Sequence, residues 1–286
     1  MKEINKFTYA HSKYYIVFTT KHNTKCLFTN IDDTTFVEIT CELDTTKSIV
    51  MCPVVIHPYI PGFIFANIKK ESQSVITYIS TNNGKDFVPV KVSKPHTKSH
   101  DVIALNLPCE IDLQMNFPVP WISVFREKCT GKFPDEIVSI DGGITWSITP
   151  FPIYRISVLH QGGIFIGIHP SLKKVMYSFG SRDWYIWDFF YPDENIRVFA
   201  HNSYKPSTYL NLIATKSGEP NSVFIYLDFS NILNRKCLDD DYEIWSPLKN
   251  EGLCWNGRKI EFLRIKPNTY CFANKTYDVQ KIFKLC

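Results

Sequence analysis

The sequence feature that most constrains the fold is a short turn motif that recurs along the chain. The stretch VSIDGGITWS (138–147) holds a hydroxyl, a carboxylate, a glycine and an indole at fixed spacing, in Ser139, Asp141, Gly143 and Trp146. Such a set fits either an active site or a turn whose residues are fixed by backbone geometry. Repetition favours the turn, because residues repeated at several sheet ends seldom converge on one point.

Three other stretches repeat the spacing in whole or in part. TYISTNNGKDFVP (77–89) has every position, VMYSFGSRDWYIW (175–187) is one residue short, and CLFTNIDDTTFVEI (26–39) has lost the middle. The motifs begin 51, 59 and 39 residues apart, and a repeat of about 50 residues in a β-rich chain is typical of four-stranded propeller blades. The matching residues are Ser80, Asn82, Gly84 and Phe87 in the first stretch, Ser178 and Trp184 in the second, and Thr29 and Phe36 in the third.

Each motif position has a structural role in a hairpin that joins two strands of a blade. The glycine adopts a positive φ, and the Asp or Asn side chain accepts backbone N–H groups across the turn. The aromatic ring fills the wedge between adjacent blades. In the copy that begins at Ser178, Gly180 stands where the acidic residue belongs. The pattern is similar to the Asp box of sialidases and related propellers.

The rest of the chain up to about residue 230 also has a β pattern. Short runs such as YYIVFTT and GIFIGIH are rich in Ile, Val, Phe, Tyr and Thr, and Gly, Pro, Asn and Asp clusters separate them. Helical periodicity is almost absent. The sequence therefore predicts an all-β protein.

Composition excludes several functional classes. Of the 286 residues, 44% are apolar and 21% are charged, which is typical of a globular protein with a substantial core. The net charge of +4 is spread among mixed charges, so we expect no nucleic-acid partner. No apolar stretch approaches the ~20 residues of a membrane span, and the N-terminal stretch MKEINKFTYAHSK lacks a secretory signal.

The cysteines indicate an oxidising compartment. Four of the nine, Cys237, Cys254, Cys271 and Cys286, follow one another at intervals of 17, 17 and 15 residues. No CxxC pair occurs in the sequence, which disfavours a zinc site and favours two disulfides. The glycosylation sequon at Asn274 lies within the same segment and agrees with secretion.

Four stretches of the chain carry a family resemblance. They are SVITYISTNNGKDFVPVKVSKP (74–95), YRISVLHQGGIFIGIHPSLKKVMYSF (154–179), VFIYLDFSNILNRKCLDDDYEIWSP (223–247) and CWNGRKIEFLRIKPNTYCF (254–272). The chain resembles the C-terminal half of the Vps10p domain, the ectodomain of the sortilin, SorCS and SorLA receptors. The resemblance is strongest from about residue 137 onward. His160 stands where that family usually has an aspartate, and the last stretch includes the basic and proline residues Arg264, Lys266 and Pro267.

The resemblance implies a domain organisation and a disulfide pattern. Residues 1–235 would be the last four to five blades of a ten-bladed Asp-box β-propeller, and residues 236–286 the first half of a ten-cysteine module. First-to-third and second-to-fourth pairing would give Cys237–Cys271 and Cys254–Cys286. The pairing of the remaining cysteines stays open; they are Cys26, Cys41, Cys52, Cys109 and Cys129.

The resemblance also implies a location and an assembly. The parent would be a type I membrane protein with this part on the lumenal or extracellular side of the Golgi, endosome or plasma membrane, and its signal peptide and membrane span would lie outside this chain. A homodimer of the full receptor is one assembly that the family would form. We expect residues 1–286 to be poorly soluble alone, because sheet edges normally covered by other blades would be exposed.

A non-enzymatic sorting receptor is the function that the resemblance implies. Its ligands would be peptides or proteins such as propeptides, neuropeptides or growth factors, with no cofactor, metal or catalytic residue. No ligand-binding residue can be carried over, and Arg126, Arg155 and Arg197 are interpreted as surface charges. Two alternatives remain: a secreted ligand-binding decoy, and an Asp-box glycosidase resembling a sialidase. The glycosidase would need converging arginines and two positioned carboxylates, and the acidic run DDDYE (239–243) is better interpreted as a solvated loop.

Overall fold

The computed structural model forms two compact units. It describes residues 3–46, 48, 50–70, 74–92, 102–128, 136–149, 153, 155–168, 174–180, 183–188, 196–202, 208–216, 222–233, 235–248, 253–267, 269–272 and 281–285. The first unit comprises Met1–Asp112, Phe125–Thr130 and Gly143–Trp146, and the second comprises Leu113–Val124, Gly131–Gly142 and Ser147–Cys286.

Nearly all regular structure in the described residues is β-strand. The first twelve strands are β1 (Glu3–Ala10), β2 (Lys13–Thr19), β3 (Lys25–Asn30), β4 (Phe36–Leu43), β5 (Val54–Ile56), β6 (Ile64–Ile68), β7 (Ile76–Ser80), β8 (Val88–Pro89), β9 (Lys91–Val92), β10 (Leu105–Asn106), β11 (Ser123–Glu127) and β12 (Glu136–Ser139). The other twelve are β13 (Thr145–Trp146), β14 (Arg155–Leu159), β15 (Ile164–Ile168), β16 (Lys174–Phe179), β17 (Asp183–Asp188), β18 (Ile196–Asn202), β19 (Tyr209–Lys216), β20 (Ser222–Asp228), β21 (Tyr242–Trp245), β22 (Leu253–Trp255), β23 (Arg258–Ile265) and β24 (Lys281–Leu285). A single α-helical turn, α1 (Leu113–Asn116), and three short 3-10 turns accompany them.

An eight-stranded antiparallel sheet dominates the first unit. Its order is β1-β2-β3-β4-β6-β7-β8, with β5 paired to β6. Alternate residues of β2 and β3 point into the core, where Tyr15, Val17 and Leu27 are buried together with Ile64 and Ala66 of β6. In the same unit β9 runs parallel to β13, and β10 pairs with β11 in antiparallel register.

Three antiparallel sheets make up most of the second unit. One has the order β14-β15-β16-β17, one the order β18-β19-β20, and one the order β21-β23-β22, with β24 also paired to β23. Leu159, Ile164 and Val175 of the first sheet share a core with Leu210 and Leu227 of the second. The third sheet lies in the part of the chain that holds Cys237, Cys254, Cys271 and Cys286, here called the cysteine-rich segment.

The prediction of an all-β chain is confirmed, because short β-branched and aromatic runs form the strands, and nearly all the strands of the described residues pair in antiparallel sheets. Among the described residues of the second unit, β14–β17 are the one set of four antiparallel strands that pair in chain order. The number of propeller blades and the boundary at residue 235 stay predictions.

Candidate functional site

The motif at 80–87 forms a tight turn between β7 and β8. The Ser80 hydroxyl accepts the N–H of Gly84 at 2.8 Å and donates to Asn82 Oδ1 at 3.1 Å. That amide oxygen in turn accepts the N–H of Asp86 at 3.0 Å. Gly84 has a φ of 87° and lies against the Ile39 side chain, which leaves no room for a Cβ atom. Phe87 is half-buried against the core of the first unit.

The motif at 139–146 forms the corresponding turn after β12. The Ser139 hydroxyl donates to Asp141 Oδ1 at 2.8 Å. Gly143, with a φ of 97°, packs directly on the ring of Phe65. Trp146 is fully buried; its indole N–H donates to the Gly143 carbonyl at 2.9 Å, and its ring centroid lies 5.7 Å from that of Phe125. These contacts shape the turn and hold the Trp146 ring in place.

The two degenerate motifs differ from the intact ones at their hydroxyl groups. Thr29 and Ser178 are buried, and neither side-chain oxygen has a hydrogen-bond partner within the described residues. Ser178 lies directly opposite Trp184 in the β16–β17 ladder, and Gly180 has a φ of 71°. The missing acidic residue therefore leaves a buried hydroxyl without the partner that it has in the intact motifs.

Asp32 organises the turn that follows Thr29, and sequence reasoning missed it. Its Oδ1 accepts the N–H groups of Thr34 and Thr35 at 2.9 and 2.7 Å, and these bonds lower the pKa of the carboxyl. The signal was available, because an Asp two residues before a Thr between two strands is typical of an Asx-turn.

Three disulfides are present in the described part of the chain. Cys237 is bonded to Cys271, the pairing that the resemblance implies. The other two, Cys26–Cys41 and Cys52–Cys109, pair four cysteines that the sequence left open. Cys254 is also disulfide-bonded, whereas Cys286, Cys129 and the sequon residue Asn274 lie outside the described residues.

The cysteine-rich segment is held together by ion pairs as well as by its disulfide. Arg235 binds both carboxylate oxygens of Asp241 at 2.5 and 2.8 Å, and this partner lowers the pKa of Asp241 to about 2. Asp241 also accepts the N–H of Leu238 at 2.7 Å, so the acidic run 239–243 includes one residue that orders the turn.

Arg264 forms the second ion pair of this segment. Its guanidinium binds Glu243 Oε1 at 2.6 and 2.7 Å and lies 5.6 Å from the ring centroid of Trp245. Burial lowers the pKa of Arg264. This residue therefore joins β23 to β21 through charge and ring contacts.

Two groups of described residues have side chains of the kinds that bind metals, but the cysteines in both groups are already bonded to each other. Cys26 and Cys41 lie near Glu38, and Cys237 and Cys271 lie near Asp241, with ligand atoms within 4.8 Å of one another. In both groups the two cysteines form a disulfide, so they present no thiolate to a metal.

The three arginines singled out in the sequence have separate surroundings. Arg155 is half-buried and donates from Nη2 to Met115 Sδ at 2.9 Å, so its interpretation as a simple surface charge was incomplete. Arg126 is also half-buried, and the side chain of Arg197 lies outside the described residues. His160 is buried near the ring of Phe272, and burial lowers its pKa to about 4.

Comparison with known proteins assigns these features to a class. Residues 202–286 match the family described as "Sortilin, neurotensin receptor 3, C-terminal". The chain is 27% identical over 225 residues to vacuolar protein sorting/targeting protein 10 of Talaromyces stipitatus, covering 73% of this chain and 15% of that protein. It is 25% identical over 232 residues to the protein of the same name in Aspergillus terreus, covering 76% of this chain and 15% of the relative.

The fold and the site thus define a class of protein: an all-β chain with Asp-box turns and a C-terminal segment closed by a disulfide. The chain is therefore similar to proteins of the Vps10/sortilin family, over residues 202–286 for the family model and over about three quarters of the chain for the relatives. It spans about 15% of the length of the curated relatives that it matches. No helix in the described part of the chain has the length and apolar character that a bilayer crossing requires.

Proposed function

We propose that this chain is part of the lumenal, ligand-binding portion of a sorting receptor, and that it binds peptide or protein cargo without chemical turnover. The observation that carries the proposal is the match of residues 202–286 to the sortilin C-terminal family, over a segment closed by Cys237–Cys271. The relatives' printed name, vacuolar protein sorting/targeting protein, supports cargo sorting as the process.

The proposed architecture is the last four to five blades of a ten-bladed propeller followed by a disulfide-stapled module. Two intact Asp-box turns and four-stranded antiparallel pairing in β14–β17 support it. Traffic between Golgi, endosome and cell surface, N-glycosylation at Asn274, the Cys254–Cys286 disulfide and homodimerisation of the full receptor belong to the same proposal.

A binding measurement tests the receptor function. The oxidised chain is titrated into a fluorescently labelled propeptide of a vacuolar hydrolase, with a scrambled propeptide of the same composition as the control. We expect saturable anisotropy changes with at least tenfold tighter binding of the native order. Equal affinity for both peptides, or no binding by a folded monodisperse chain, contradicts the proposal.

A second measurement addresses the glycosidase alternative. The same preparation is incubated with a fluorogenic sialoside, and we expect no release of the fluorophore above the rate in buffer. Turnover that is lost on heating the protein would reject the non-enzymatic function.

A further inference from the structure

The chain contains two Asn-Gly pairs, and both adopt positive φ angles. They are Asn83–Gly84 and Asn256–Gly257. The φ values are 62° and 87° in the first pair and 51° and 73° in the second, so all four residues lie in the left-handed region. Asn-Gly is a pair that tolerates this region in tight turns. The two sites therefore share their covalent structure, and a difference in their chemical behaviour has to come from their surroundings.

An asparagine that precedes glycine is chemically labile. The backbone nitrogen of the glycine attacks the carbonyl carbon of the asparagine side chain, the bond from that carbon to the amide nitrogen breaks, and ammonia leaves with the proton of the backbone nitrogen. Water then opens the resulting five-membered succinimide ring at either carbonyl and gives aspartate or isoaspartate. Glycine favours this reaction because it has no Cβ atom to obstruct the attack. The reaction also requires that both groups can move towards each other.

Both reacting groups of the first pair are held by other parts of the fold. The side-chain oxygen of Asn83 accepts the hydroxyl of Tyr15 at 2.6 Å, and Tyr15 is buried. The N–H of Gly84 donates to the Ser80 hydroxyl at 2.8 Å, and Gly84 packs against the Ile39 side chain. Ring formation at this pair therefore requires that two hydrogen bonds break first.

The second pair has none of these restraints. Asn256 and Gly257 are exposed at the tip of the β22–β23 hairpin, beyond its last residue pair, Trp255 with Arg258. Among the described residues, neither the Asn256 side chain nor the Gly257 N–H has a hydrogen-bond partner. A Cβ atom on Gly257 would meet nothing within 4 Å. The two reacting groups can therefore approach each other without the loss of a side-chain contact.

We propose that Asn256 is a site of spontaneous deamidation in the folded protein, with water as the only co-reactant, and that the fold protects Asn83 from the same reaction. The product places a carboxylate next to Arg258 at the hairpin tip. In the isoaspartate product the main chain is longer by one carbon atom, and a two-residue turn between paired strands has a fixed register. The hairpin that carries Cys254 therefore changes in charge and in turn length as the protein ages.

The test compares the two sites within one molecule. The oxidised full chain and the same chain unfolded in urea are incubated at neutral pH and sampled over several weeks. Each sample is digested with trypsin at mildly acidic pH, which limits further deamidation, and the peptides are analysed by mass spectrometry. Fragment ions assign the mass change to Asn256 or to Asn250 of the same peptide, and electron-transfer fragmentation distinguishes isoaspartate from aspartate.

In urea the two sites should react at similar rates. In the folded chain Asn256 should react about tenfold faster than Asn83 or more, because Asn83–Gly84 must first lose two hydrogen bonds. The product at Asn256 should include isoaspartate. Equal rates in the folded chain, or no reaction at Asn256 in the folded chain, would overturn the proposal. An equally large difference in urea, or a product that is aspartate alone, would also contradict it.

Variants around the first pair test the protection directly. Tyr15→Phe removes the donor to Asn83, and Ser80→Ala removes the acceptor of the Gly84 N–H. Each should accelerate deamidation of Asn83 about fivefold and leave the rate at Asn256 unchanged. Tyr14→Phe is the matched control, because the Tyr14 hydroxyl has no hydrogen bond to the described residues. Equal acceleration of both sites in a variant would indicate global unfolding and would contradict local protection.

A substitution at the second pair tests its assignment. Asn256→Gln keeps an amide but would require a six-membered ring, so it should abolish the reaction in this peptide. A mass change that persists in the variant would assign the reaction to Asn250 and reject the proposal. The reaction does not involve cargo, so its failure is distinguishable from failure of the receptor function.

Discussion

At the scale of single residues, two glycines share a backbone conformation but differ in their surroundings. Gly143 and Gly257 have φ values of 97° and 73°, both in the left-handed region that side chains disfavour. A Cβ on Gly143 would collide with Phe65, whereas a Cβ on Gly257 would meet nothing within 4 Å. Replacing each with alanine therefore separates backbone strain from packing.

Gly143→Ala should destabilise the protein more than Gly257→Ala. Both changes cost about 1–2 kcal/mol in backbone strain, and displacing Phe65 adds about 1–3 kcal/mol at Gly143 alone. The measurement is the urea midpoint of unfolding followed by tryptophan fluorescence. Equal losses in the two variants would show that the contact with Phe65 does not limit this position.

The serine hydroxyls of the motifs give a second comparison. Ser80→Ala removes the acceptor for the Gly84 N–H and should cost about 1 kcal/mol in the free energy of unfolding. Ser178→Ala removes a buried hydroxyl that has no partner among the described residues, so it should be neutral or slightly stabilising. Chemical denaturation of both variants measures the difference. A larger loss for Ser178→Ala would refute this account of the degenerate motif.

His160 should make stability depend on pH. Its folded-state pKa is about 4, against 6.5 when unperturbed, because burial favours the neutral ring. As the pH falls, the unfolded chain therefore takes up a proton at a higher pH than the folded protein does. The contribution of His160 to the free energy of unfolding is complete above pH 6.5 and declines as the pH falls towards 4. The total change is on the order of 3 kcal/mol.

Replacing His160 tests this dependence. His160→Asn keeps a residue that tolerates the φ of 50° and removes the titrating group. The free energy of unfolding, measured from pH 7 to pH 4, should fall less steeply in the variant. An unchanged slope would mean that other groups carry the pH dependence.

At the scale of elements, two of the disulfides close loops beside backbone pairing that the chain already makes. Cys237–Cys271 spans 34 residues, and the Cys237 N–H donates to the Phe272 carbonyl at 2.9 Å beside it. Cys26–Cys41 spans 15 residues and joins β3 to its neighbour β4. The entropy lost by the unfolded chain grows with loop length, so the two bonds should contribute unequally.

Removing the Cys237–Cys271 pair by double alanine substitution should cost about 4 kcal/mol, and removing Cys26–Cys41 about 3 kcal/mol. Protease cleavage within residues 236–272, measured by mass spectrometry, should accelerate strongly in the first variant. The second variant should leave that cleavage rate unchanged. Equal acceleration in both would contradict a local role for Cys237–Cys271.

At the scale of the whole molecule, each unit leaves apolar sheet residues exposed. In the first unit Phe7 and Tyr9 of β1 are each 59% exposed, and both rings pack on Tyr14. In the second unit Phe224 and Tyr226 of β20 are 66% and 56% exposed. Clustered exposed rings favour association, whereas single exposed apolar residues are common on protein surfaces.

Substituting these rings should improve solubility. Phe7→Ser with Tyr9→Ser, and separately Phe224→Ser with Tyr226→Ser, should reduce concentration-dependent association in sedimentation velocity. Val88→Ser, at a single valine that is 52% exposed, is the control and should have no effect. If all three variants associate like the unchanged chain, the poor solubility predicted from the sequence has another cause.

Much of the fold could be predicted because its signals are local. Residue-scale rules predict a positive φ at Gly84 and Gly143 and a hydrogen-bonded Ser, Asn or Asp in the same turn. Runs rich in Ile, Val, Phe, Tyr and Thr predict strands such as β2 and β15, since β propensity depends on the residues of the run itself. The Cys237–Cys271 pairing was implied by the family resemblance rather than by spacing.

Features that depend on distant parts of the chain were not accessible from the sequence. The Cys52–Cys109 disulfide joins residues 57 positions apart, and the burial of Trp146 depends on Phe65 and Phe125. The sequence by itself determined the class of fold, most of its motif turns and its family resemblance, because turn geometry and β propensity are local. The tertiary structure alone decided which hydroxyls lack partners among the described residues and which cysteines of the first unit pair, because these depend on contacts between residues far apart in the chain.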